Sequence, residues 1–396
     1  MATFDASKGW TILLPSDIPH VKKAAADLSR YIGLLSTGSA AINSVGKNAV
    51  GKNADGISPS KAPPIVDAIG SAPEGAVIVL SSGDHGYERN GFTWRAREDR
   101  VEISGESGRG LCNGIYSFLA ALGISWPAPG QEELPKAIEK DTAGLFVLAL
   151  ASDSVCELSH SGGDTPMPVS WSSAGQSSSA GPPSSAKPAL ANLRRFFPGG
   201  KGEVKKLLKE SEAFVEWAAR RRYDALVFPL AAYASASAGR KLKQLRQIAG
   251  EYGIAMEAGG RELSSLVPRR YFPFCRDFFR MDDGKRKKDH HFCPTNPDVT
   301  RLIAKESERL FRFAPEAAVI HLWPDKEAEL AWCSCPTCRA FSSLEQNRIA
   351  INVAADTLAA LNRGKDRQAF IFYFEKPGED AKILPRKNTF AMSEIP

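Results

Sequence analysis

Three of the seven cysteines in this 396-residue chain lie in one short run, Cys333-Ser334-Cys335-Pro336-Thr337-Cys338. Cysteines this close together are typical of a metal site, because several thiolates can bind one Zn²⁺ ion. The run therefore predicts that Cys333, Cys335 and Cys338 hold a structural Zn²⁺ ion.

Such an ion needs a fourth ligand from another part of the chain. Cys293, in Phe292-Cys293-Pro294, is the first candidate, and the alternatives are His290, His291 and Cys275. Two competing interpretations stay open: three unbound thiols on a loop, and a catalytic pair of Cys333 with His321. The isolated Cys112 and Cys156 are predicted to be small apolar residues.

An apolar segment ends shortly before the cysteine run, in His321-Leu322-Trp323-Pro324-Asp325. The pattern predicts a buried strand that continues into a polar loop, which is where barrel enzymes carry their catalytic residues. Asp325 supplies a carboxylate there, and Trp323 supplies a ring that can stack on the apolar face of a sugar. The predicted metal site and a predicted ligand-binding loop are therefore neighbours.

The elements before these residues predict a small α+β domain over residues 1–140. Hydrophobic residues alternate or run continuously in the predicted strands, and they recur at helical spacing in the predicted helices. The strands are 10–14, 76–80, 92–97 and 100–104, and the helices are 19–35 and 111–122. The last two strands are expected to form a hairpin, and Gly108-Arg109-Gly110 is expected to be a tight strand-to-helix turn.

Residues 141–396 are predicted to form a second domain around a parallel sheet. An apolar strand at 144–151 precedes 158–189, which is rich in Ser, Gly, Pro and Ala and is predicted to be a flexible insertion. Helices 203–222, 239–251, 298–313 and 343–362 then alternate with strands 225–230, 254–257, 318–322 and 369–374.

This alternation indicates a parallel sheet, either closed as a barrel or open. Even with 389–392 as a further strand, the count stays below the eight strands of a complete barrel. These patterns by themselves predict an α/β protein, with a small α+β N-terminal domain followed by an α/β domain around a parallel sheet that is either open or closed.

Composition excludes several classes of partner. The net charge is +6, and the basic residues lie in short scattered runs without interleaved aromatic residues, so no nucleic-acid partner is expected. No signal peptide is recognisable, and no stretch reaches the roughly 18 apolar residues of a membrane span. The odd number of cysteines, three of them clustered, does not fit a disulfide framework and predicts a reducing, cytoplasmic location.

The segment from Asp99 to Trp126 resembles part of the N-terminal domain of family 20 β-hexosaminidases and family 67 α-glucuronidases. The resemblance lies in a strand, the Arg109-Gly110 turn and the helix Tyr116-Ser-Phe-Leu-Ala-Ala-Leu-Gly123. The second half resembles a family of unknown function, domain-of-unknown-function 4838. The matching segments are 257–261, 279–286, 292–297 and 321–338.

These resemblances imply that the second domain is an incomplete (β/α) TIM-barrel-like domain. They also imply a carbohydrate-active protein whose substrate binds at the carboxyl ends of the strands. Hydrolysis of a glycoside requires two carboxyl groups, and the candidates at the strand ends are Asp325, Glu327, Glu257 and Glu375. The β-hexosaminidases carry an Asp-Glu pair where this chain has Asp325-Lys326, so that Glu327 or Glu329 would have to supply the acid.

The implied substrate-binding residues are Trp323, His321, Arg261 and Arg286, and the two arginines could bind the carboxylate of an acidic sugar. Position 261 is Arg where the related family is expected to have His. Three hypotheses follow: a glycoside hydrolase, a non-catalytic carbohydrate-binding protein on the same fold, and a zinc-stabilised scaffold or interaction module.

Overall fold

The structure is a computed structural model, and it describes residues 2–6, 8–15, 17–36, 63–67, 75–83, 90–97, 99–135, 145–150, 193–325, 332–363, 369–375 and 381–392. The predicted insertion at 158–189, Cys156 and Glu327 lie outside these residues. No helix within the described ranges is long and apolar enough to cross a membrane.

The N-terminal part is a mixed sheet that packs against two helices. Its strands, in spatial order, are β3 (Ile65–Asp67), β2 (Thr11–Leu14), β4 (Val77–Ser82), β6 (Arg100–Gly105) and β5 (Phe92–Arg97). The predicted hairpin is confirmed, since β5 and β6 are the antiparallel pair and the other neighbours are parallel. The helices are α1 (Pro19–Ser36) and α2 (Gly108–Ala121).

The second part is a curled parallel sheet that forms half of a barrel. Its six strands follow one another in chain order: β8 (Arg195–Phe196), β9 (Ala225–Phe228), β10 (Ala255–Gly260), β13 (Val319–Leu322), β14 (Phe370–Phe374) and β15 (Thr389–Met392). Between β10 and β13 in the chain, β11 (Met281–Asp282) and β12 (Lys285–Arg286) form a small antiparallel hairpin outside this sheet. This arrangement confirms the predicted fold class.

Within the described residues, the α-helices of this second part are α3 (Lys201–Leu207), α4 (Ser211–Arg220), α5 (Leu230–Ala234), α6 (Ala236–Glu251), α7 (Pro297–Phe311) and α8 (Ser343–Leu361). One core cluster joins the outward side chains of β13 and β14 to α7 and α8. The opposite sheet face carries a separate cluster that includes Val319, Trp323 and Phe372. The inner face of the half-barrel therefore has its own layer of packed side chains.

Three sequence predictions are corrected in the barrel-like part. Strand β7 (Leu145–Leu150) pairs antiparallel with β1 (Ala2–Asp5), although its apolar run predicted a member of the parallel sheet. The helix predicted at 203–222 is two helices, α3 and α4. The short strand β8 was missed, because two residues are too few for a periodic pattern.

The two parts share one hydrophobic core, and a buried arginine joins them. Arg109, on α2, donates hydrogen bonds to the carbonyl oxygens of Ala219 (3.2 Å), Tyr223 (2.8 Å) and Tyr252 (3.3 Å). Its Nε lies 3.6 Å from the carboxylate of Asp224. The predicted turn Gly108-Arg109-Gly110 is instead the start of α2, which begins at Gly108 and not at residue 111. The close packing expected of its glycines is present, since a Cβ on Gly110 would lie 2.6 Å from the carbonyl oxygen of Gly91.

We predict that Arg109→Ala lowers the free energy of unfolding by about 3 kcal/mol, because it leaves the buried Asp224 without its cation. Urea unfolding would measure the change. Arg100→Ala is the matched control: it removes an exposed pair with Glu102 and should change stability by less than about 0.5 kcal/mol. Equal effects of the two substitutions would contradict the proposed role of Arg109.

Candidate functional site at the strand ends

The carboxyl ends of the parallel strands meet at one edge of the sheet, where loops bring the candidate residues together. Arg261 follows β10, Asp325 follows β13 and Glu375 follows β14. In the register of β10 with β13, Gly259 pairs with His321. Gly259 has a φ of +110°, and a Cβ there would lie 2.0 Å from the carbonyl oxygen of His321. Only glycine permits so close an approach of the two strands.

Three buried side chains, Arg195, Glu257 and His321, contact one another on the inner face of the sheet, below this edge. We call them the buried trio. The Glu257 carboxylate accepts two hydrogen bonds from Arg195, at 2.6 Å and 3.1 Å. The Nε2 atom of His321 lies 2.8 Å from Oε2 of Glu257. All three side chains are almost fully inaccessible to solvent: the exposed fraction is 3% for Arg195, 1% for Glu257 and 0% for His321. The structure therefore places the predicted catalytic Glu257 within a strand and in an ion pair.

The trio has a defined protonation state at neutral pH. Burial acts to raise the pKa of Glu257, but the charge of Arg195 and the hydrogen bond with His321 lower it to about 2. Burial lowers the pKa of His321 and outweighs the opposing effect of Glu257. A neutral His321 must donate Nε2–H to the ionised Glu257, which leaves Nδ1 as a hydrogen-bond acceptor.

Two buried polar atoms here have no hydrogen-bond partner among the residues that the structure describes. They are Nδ1 of His321 and Nε1 of Trp323. The Trp323 ring packs against Phe197, with centroids 4.9 Å apart, and against His321, at 5.1 Å. Trp323 is only 2% exposed, so its ring faces are covered by protein. In this conformation Trp323 is part of the core, and its indole N–H retains an unused donor.

Asp325 lies at the mouth of this site. Its Oδ2 atom is enclosed and has no hydrogen-bond partner among the described residues. The Nδ1 atom of His290 lies 3.7 Å from it. The Asp325 side chain as a whole is 24% exposed. Burial lowers the pKa of Arg269, and the charge of Asp325 opposes this effect in part. Asp325 is thus a partly accessible carboxylate with unused capacity to accept hydrogen bonds.

Glu262 is a second carboxyl group near Asp325, and the sequence analysis missed it. Burial raises its pKa, and the charge of Asp325 acts in the same direction. Both carboxylate oxygens accept backbone hydrogen bonds, from Leu230 (2.7 Å) and Ala231 (3.2 Å) at the start of α5. The available signal was its position directly after the strand that ends at Gly260. The strand was predicted to end at residue 257, so Glu262 was not considered.

The two predicted substrate-binding arginines lie in different surroundings. Arg261 lies at the strand-end edge, beside Glu262. Arg286 ends the β11–β12 hairpin, donates a hydrogen bond to the carbonyl oxygen of Phe279 (2.7 Å) and lies 3.8 Å from the sulfur of Cys333. The contacts of Arg286 therefore connect it with the cysteine cluster.

The four predicted metal-binding cysteines do come together. The sulfur atoms of Cys293, Cys333, Cys335 and Cys338 all lie within 4.8 Å of one another, and all four residues are buried. The sulfur of Cys293 is 3.7 Å from that of Cys335 and 3.6 Å from that of Cys338. These separations are too long for a disulfide and match the sulfur–sulfur edge of about 3.8 Å in a tetrahedron with Zn–S bonds of about 2.3 Å. The cluster could hold a metal ion.

Backbone amides and a glutamine support this arrangement. The amide of Met281 donates to the sulfur of Cys333 (3.3 Å), and the amide of Cys338 donates to that of Cys335 (3.4 Å). Gln346, on α8, accepts a hydrogen bond from the amide of Cys333 and donates to the carbonyl oxygens of Cys333 and Cys338. Together these contacts hold the cysteine run in a defined conformation.

The cysteine side chains of the cluster shift one another's pKa values. Hydrogen bonds with Cys333 and Cys338 lower the pKa of Cys293, and the same contacts raise the pKa values of Cys333 and Cys338. Four thiolates at such short distances repel one another unless a cation compensates their charge. The donor set therefore suits a cation that prefers sulfur. Cys275 and Cys112 are free and lie outside the cluster.

Comparisons with known proteins point to glycoside hydrolases among solved structures. No family model matches the chain, and no curated protein matches it. The chain is similar to the family 20 exo-β-N-acetylglucosaminidase of Vibrio harveyi in complex with N-acetylglucosamine. The TM-score is 0.44 and the sequence identity 11%, over 98% of this chain and 54% of that chain.

Two further solved structures resemble this chain with similar TM-scores and sequence identities. The family 20 β-N-acetylhexosaminidase of Streptomyces coelicolor has a TM-score of 0.41 and 12% identity, over 96% of this chain and 68% of that one. A family 138 enzyme that targets pectin rhamnogalacturonan II has a TM-score of 0.44 and 10% identity, over 96% of this chain and 38% of that one. This chain thus spans about half the length of the Vibrio enzyme, 54%. Similarity at this level carries no argument about activity.

We predict that Glu257 makes the protein sensitive to acid. Because its pKa of about 2 in the folded state lies below the ordinary value of 4.5, the ionised carboxylate stabilises the fold above about pH 4.5. This stabilisation, on the order of 3 kcal/mol, is lost progressively as the pH falls towards 2. Urea unfolding between about pH 7 and pH 3 would measure it.

Glu257→Gln should flatten that pH dependence and should also destabilise the protein by about 3 kcal/mol at neutral pH, because Arg195 stays buried without its anion. Glu308→Gln, in an exposed pair with Arg312, is the matched control and should behave like the unmodified protein. An unchanged acid limb in Glu257→Gln would show that the trio does not cause the effect.

Proposed function

We propose that this protein acts on a carbohydrate at the carboxyl edge of its parallel sheet, as a glycoside-hydrolase-like protein. The observation that carries the proposal is Asp325, a carboxylate after the end of β13 whose side chain is 24% exposed and whose Oδ2 atom has no hydrogen-bond partner within the described part of the chain. Sugar hydroxyl groups are donors that would satisfy such an acceptor. The membership in the family of unknown function stays part of this proposal, on the motif from His321 to Cys338.

In hydrolysis, Asp325 would be one of two carboxyl groups that flank the scissile bond. Glu327, two residues further along the same loop, is the proposed partner, and Glu262 on the neighbouring strand end is the alternative. The raised pKa of Glu262 suits a proton donor. Glu257 would act indirectly: its carboxylate, paired with Arg195, accepts a hydrogen bond from Nε2 of His321 and so fixes the tautomer of that ring.

The remaining predicted residues would bind substrate. Arg261 lies at the strand-end edge and suits a carboxylate of an acidic sugar. Trp323 would contribute its unused indole N–H as a donor, and His321 would contribute Nδ1 as an acceptor. Arg286 would act through the loop that contains the cysteine cluster.

The second candidate function is carbohydrate binding without turnover. One observation favours it: both oxygens of Glu262 already accept backbone amides, and those of Glu257 are bound to Arg195 and His321. Of the carboxylates described at this edge, Asp325 is then the one available to a substrate. Formation of product, as opposed to binding alone, distinguishes the two candidates.

We predict that Asp325→Asn abolishes hydrolysis and weakens carbohydrate binding at least about tenfold, a loss of about 1.4 kcal/mol. A panel that begins with chitotriose and a trigalacturonate, one neutral and one acidic, would be tested by calorimetry and by product analysis. Asp356→Asn is the matched control, since Asp356, on α8, forms an exposed ion pair with Arg386. Retention of full binding and turnover by Asp325→Asn would contradict the proposal.

We further propose that the metal ion of the four-cysteine cluster is a structural Zn²⁺. Four thiolates with tetrahedral spacing form a closed coordination shell, which leaves no position for a substrate or water. The zinc-stabilised scaffold hypothesis uses the same site. Thiolate ligands also fit the reducing cytoplasm that the cysteine pattern predicts.

We predict about one zinc per chain in the purified protein by elemental analysis. Cys335→Ser should lose the ion and lower the thermal midpoint by several degrees, because a thiolate ligand is removed. Cys275→Ser, in the loop that also carries Cys293, is the matched control, and it should retain both the ion and the midpoint. A folded protein that contains no metal would remove the zinc site from the proposal.

A further inference from the structure

The cysteine cluster joins two loops that leave neighbouring strands. Cys293 and the β11–β12 hairpin belong to the loop after β10, which we call the hairpin loop (residues 261–296). Cys333, Cys335 and Cys338 belong to the loop after β13. Because β10 and β13 are paired in parallel, both loops leave the same edge of the sheet. An ion in the cluster would bind the two loops to each other.

Hydrogen bonds beside the sulfur atoms repeat this connection. The amide and the hydroxyl of Ser334 both donate to the carbonyl oxygen of Met281, at 2.9 Å and 2.8 Å. The amide of Met281 in turn donates to the sulfur of Cys333 (3.3 Å). Trp332 stacks on His291, with ring centroids 4.3 Å apart. The hairpin loop and the cysteine run therefore form one closely packed unit.

The hairpin loop also carries the groups that face Asp325. Arg280, adjacent to Met281, donates to the carboxylate of Asp289 at 2.5 Å. Asp289 precedes His290, whose ring is 3.7 Å from Oδ2 of Asp325. Arg269 donates to the carbonyl oxygens of Asp289 and His291 and so holds the same segment from the other side. A continuous set of contacts thus runs from the cysteine cluster to Asp325.

We propose that the ion in the cysteine cluster is a clamp that sets the position of His290 and of the strand-end site around Asp325, although it contacts no substrate. The inference rests on the proposed zinc and carbohydrate sites, and it adds that they are coupled. Without the ion, the four sulfur atoms lose their common ligand, and the hairpin loop can move relative to the end of β13. The carbohydrate site then loses its geometry while the rest of the fold persists.

Hydrogen–deuterium exchange of the full chain, with zinc bound and after its removal by a chelator, tests the clamp without any carbohydrate. Removal of the ion should speed exchange at least tenfold in residues 281–293 and 323–325, and re-addition of Zn²⁺ alone should reverse the change. Strands β2, β4 and β6 should exchange as before. Unchanged exchange at 289–293 and 323–325 would overturn the proposal, and so would loss of protection throughout the chain.

Carbohydrate affinity provides the second measurement, with whichever of chitotriose and trigalacturonate binds the zinc-loaded protein. Removal of the ion, or Cys335→Ser, should weaken binding at least tenfold, whereas Cys275→Ser should not. Full affinity in the zinc-free protein would overturn the clamp. If neither sugar binds the zinc-loaded protein, the proposed carbohydrate function fails, and the exchange experiment still decides whether the ion positions the loops.

A variant that keeps the ion separates position from metal content. Arg280→Gln breaks the contact with Asp289, so it should weaken carbohydrate binding severalfold and speed exchange at 289–293 with zinc content unchanged. Arg301→Gln is the matched control, since Arg301 pairs with Asp298 on the exposed surface of α7. Unchanged affinity and exchange in Arg280→Gln would overturn the route through Asp289.

Discussion

The parallel pairing of β10 with β13 is the constraint on which both candidate sites depend. Two adjacent parallel strands must release their following loops at the same edge, so Glu262 and Asp325 lie near each other and Cys293 can reach the cysteine run. Gly259 permits this pairing, because its positive φ and absent side chain accommodate the backbone of His321. A side chain at that position would separate the strands and both sites with them.

Charge in the sheet interior imposes a second constraint. Arg195, Glu257 and His321 come from three different strands and compensate one another within a layer of aromatic side chains. Glu375, at the edge of the sheet, is a second buried carboxylate whose charge is compensated: Arg348 and Tyr373 both donate hydrogen bonds to it. Buried pairs of this kind add little net stability, but loss of one partner is costly. They therefore restrict the sheet to one arrangement of its strands.

The two long-range connections differ in their chemistry. Arg109 joins the α+β domain to the barrel-like domain through carbonyl oxygens and Asp224, all inside the shared core. The cysteine cluster joins two loops through four buried sulfur atoms that form a hydrophobic cluster of their own and could hold a metal ion. A metal–thiolate shell there would supply binding energy to the connection. A site on long loops needs such an additional connection, because loops gain little stability from packing alone.

Local patterns were sufficient for most elements. The alternation from α4 to β15 predicted a parallel sheet, and the family resemblance implied its incomplete barrel form. The spacing of Cys333, Cys335 and Cys338 predicted a metal-binding cysteine cluster, with Cys293 as its first candidate for a fourth member. The apolar run of β7 predicted the wrong partner, because burial on both faces is compatible with either strand direction. The two-residue strand β8 carries no periodic signal, although it contributes Arg195 to the buried trio.

By itself, the sequence determined the class of fold, the order of its elements and the residue types available for chemistry, since these depend on hydrophobic period and on neighbours along the chain. Only the tertiary structure decided which charges are paired. Glu257 looked like a strand-end carboxylate but is bound to Arg195 and His321, whereas Glu262 was overlooked and lies near Asp325. The reason is physical: pairing and burial depend on strand register and on contacts between residues far apart in the chain, which no local pattern encodes.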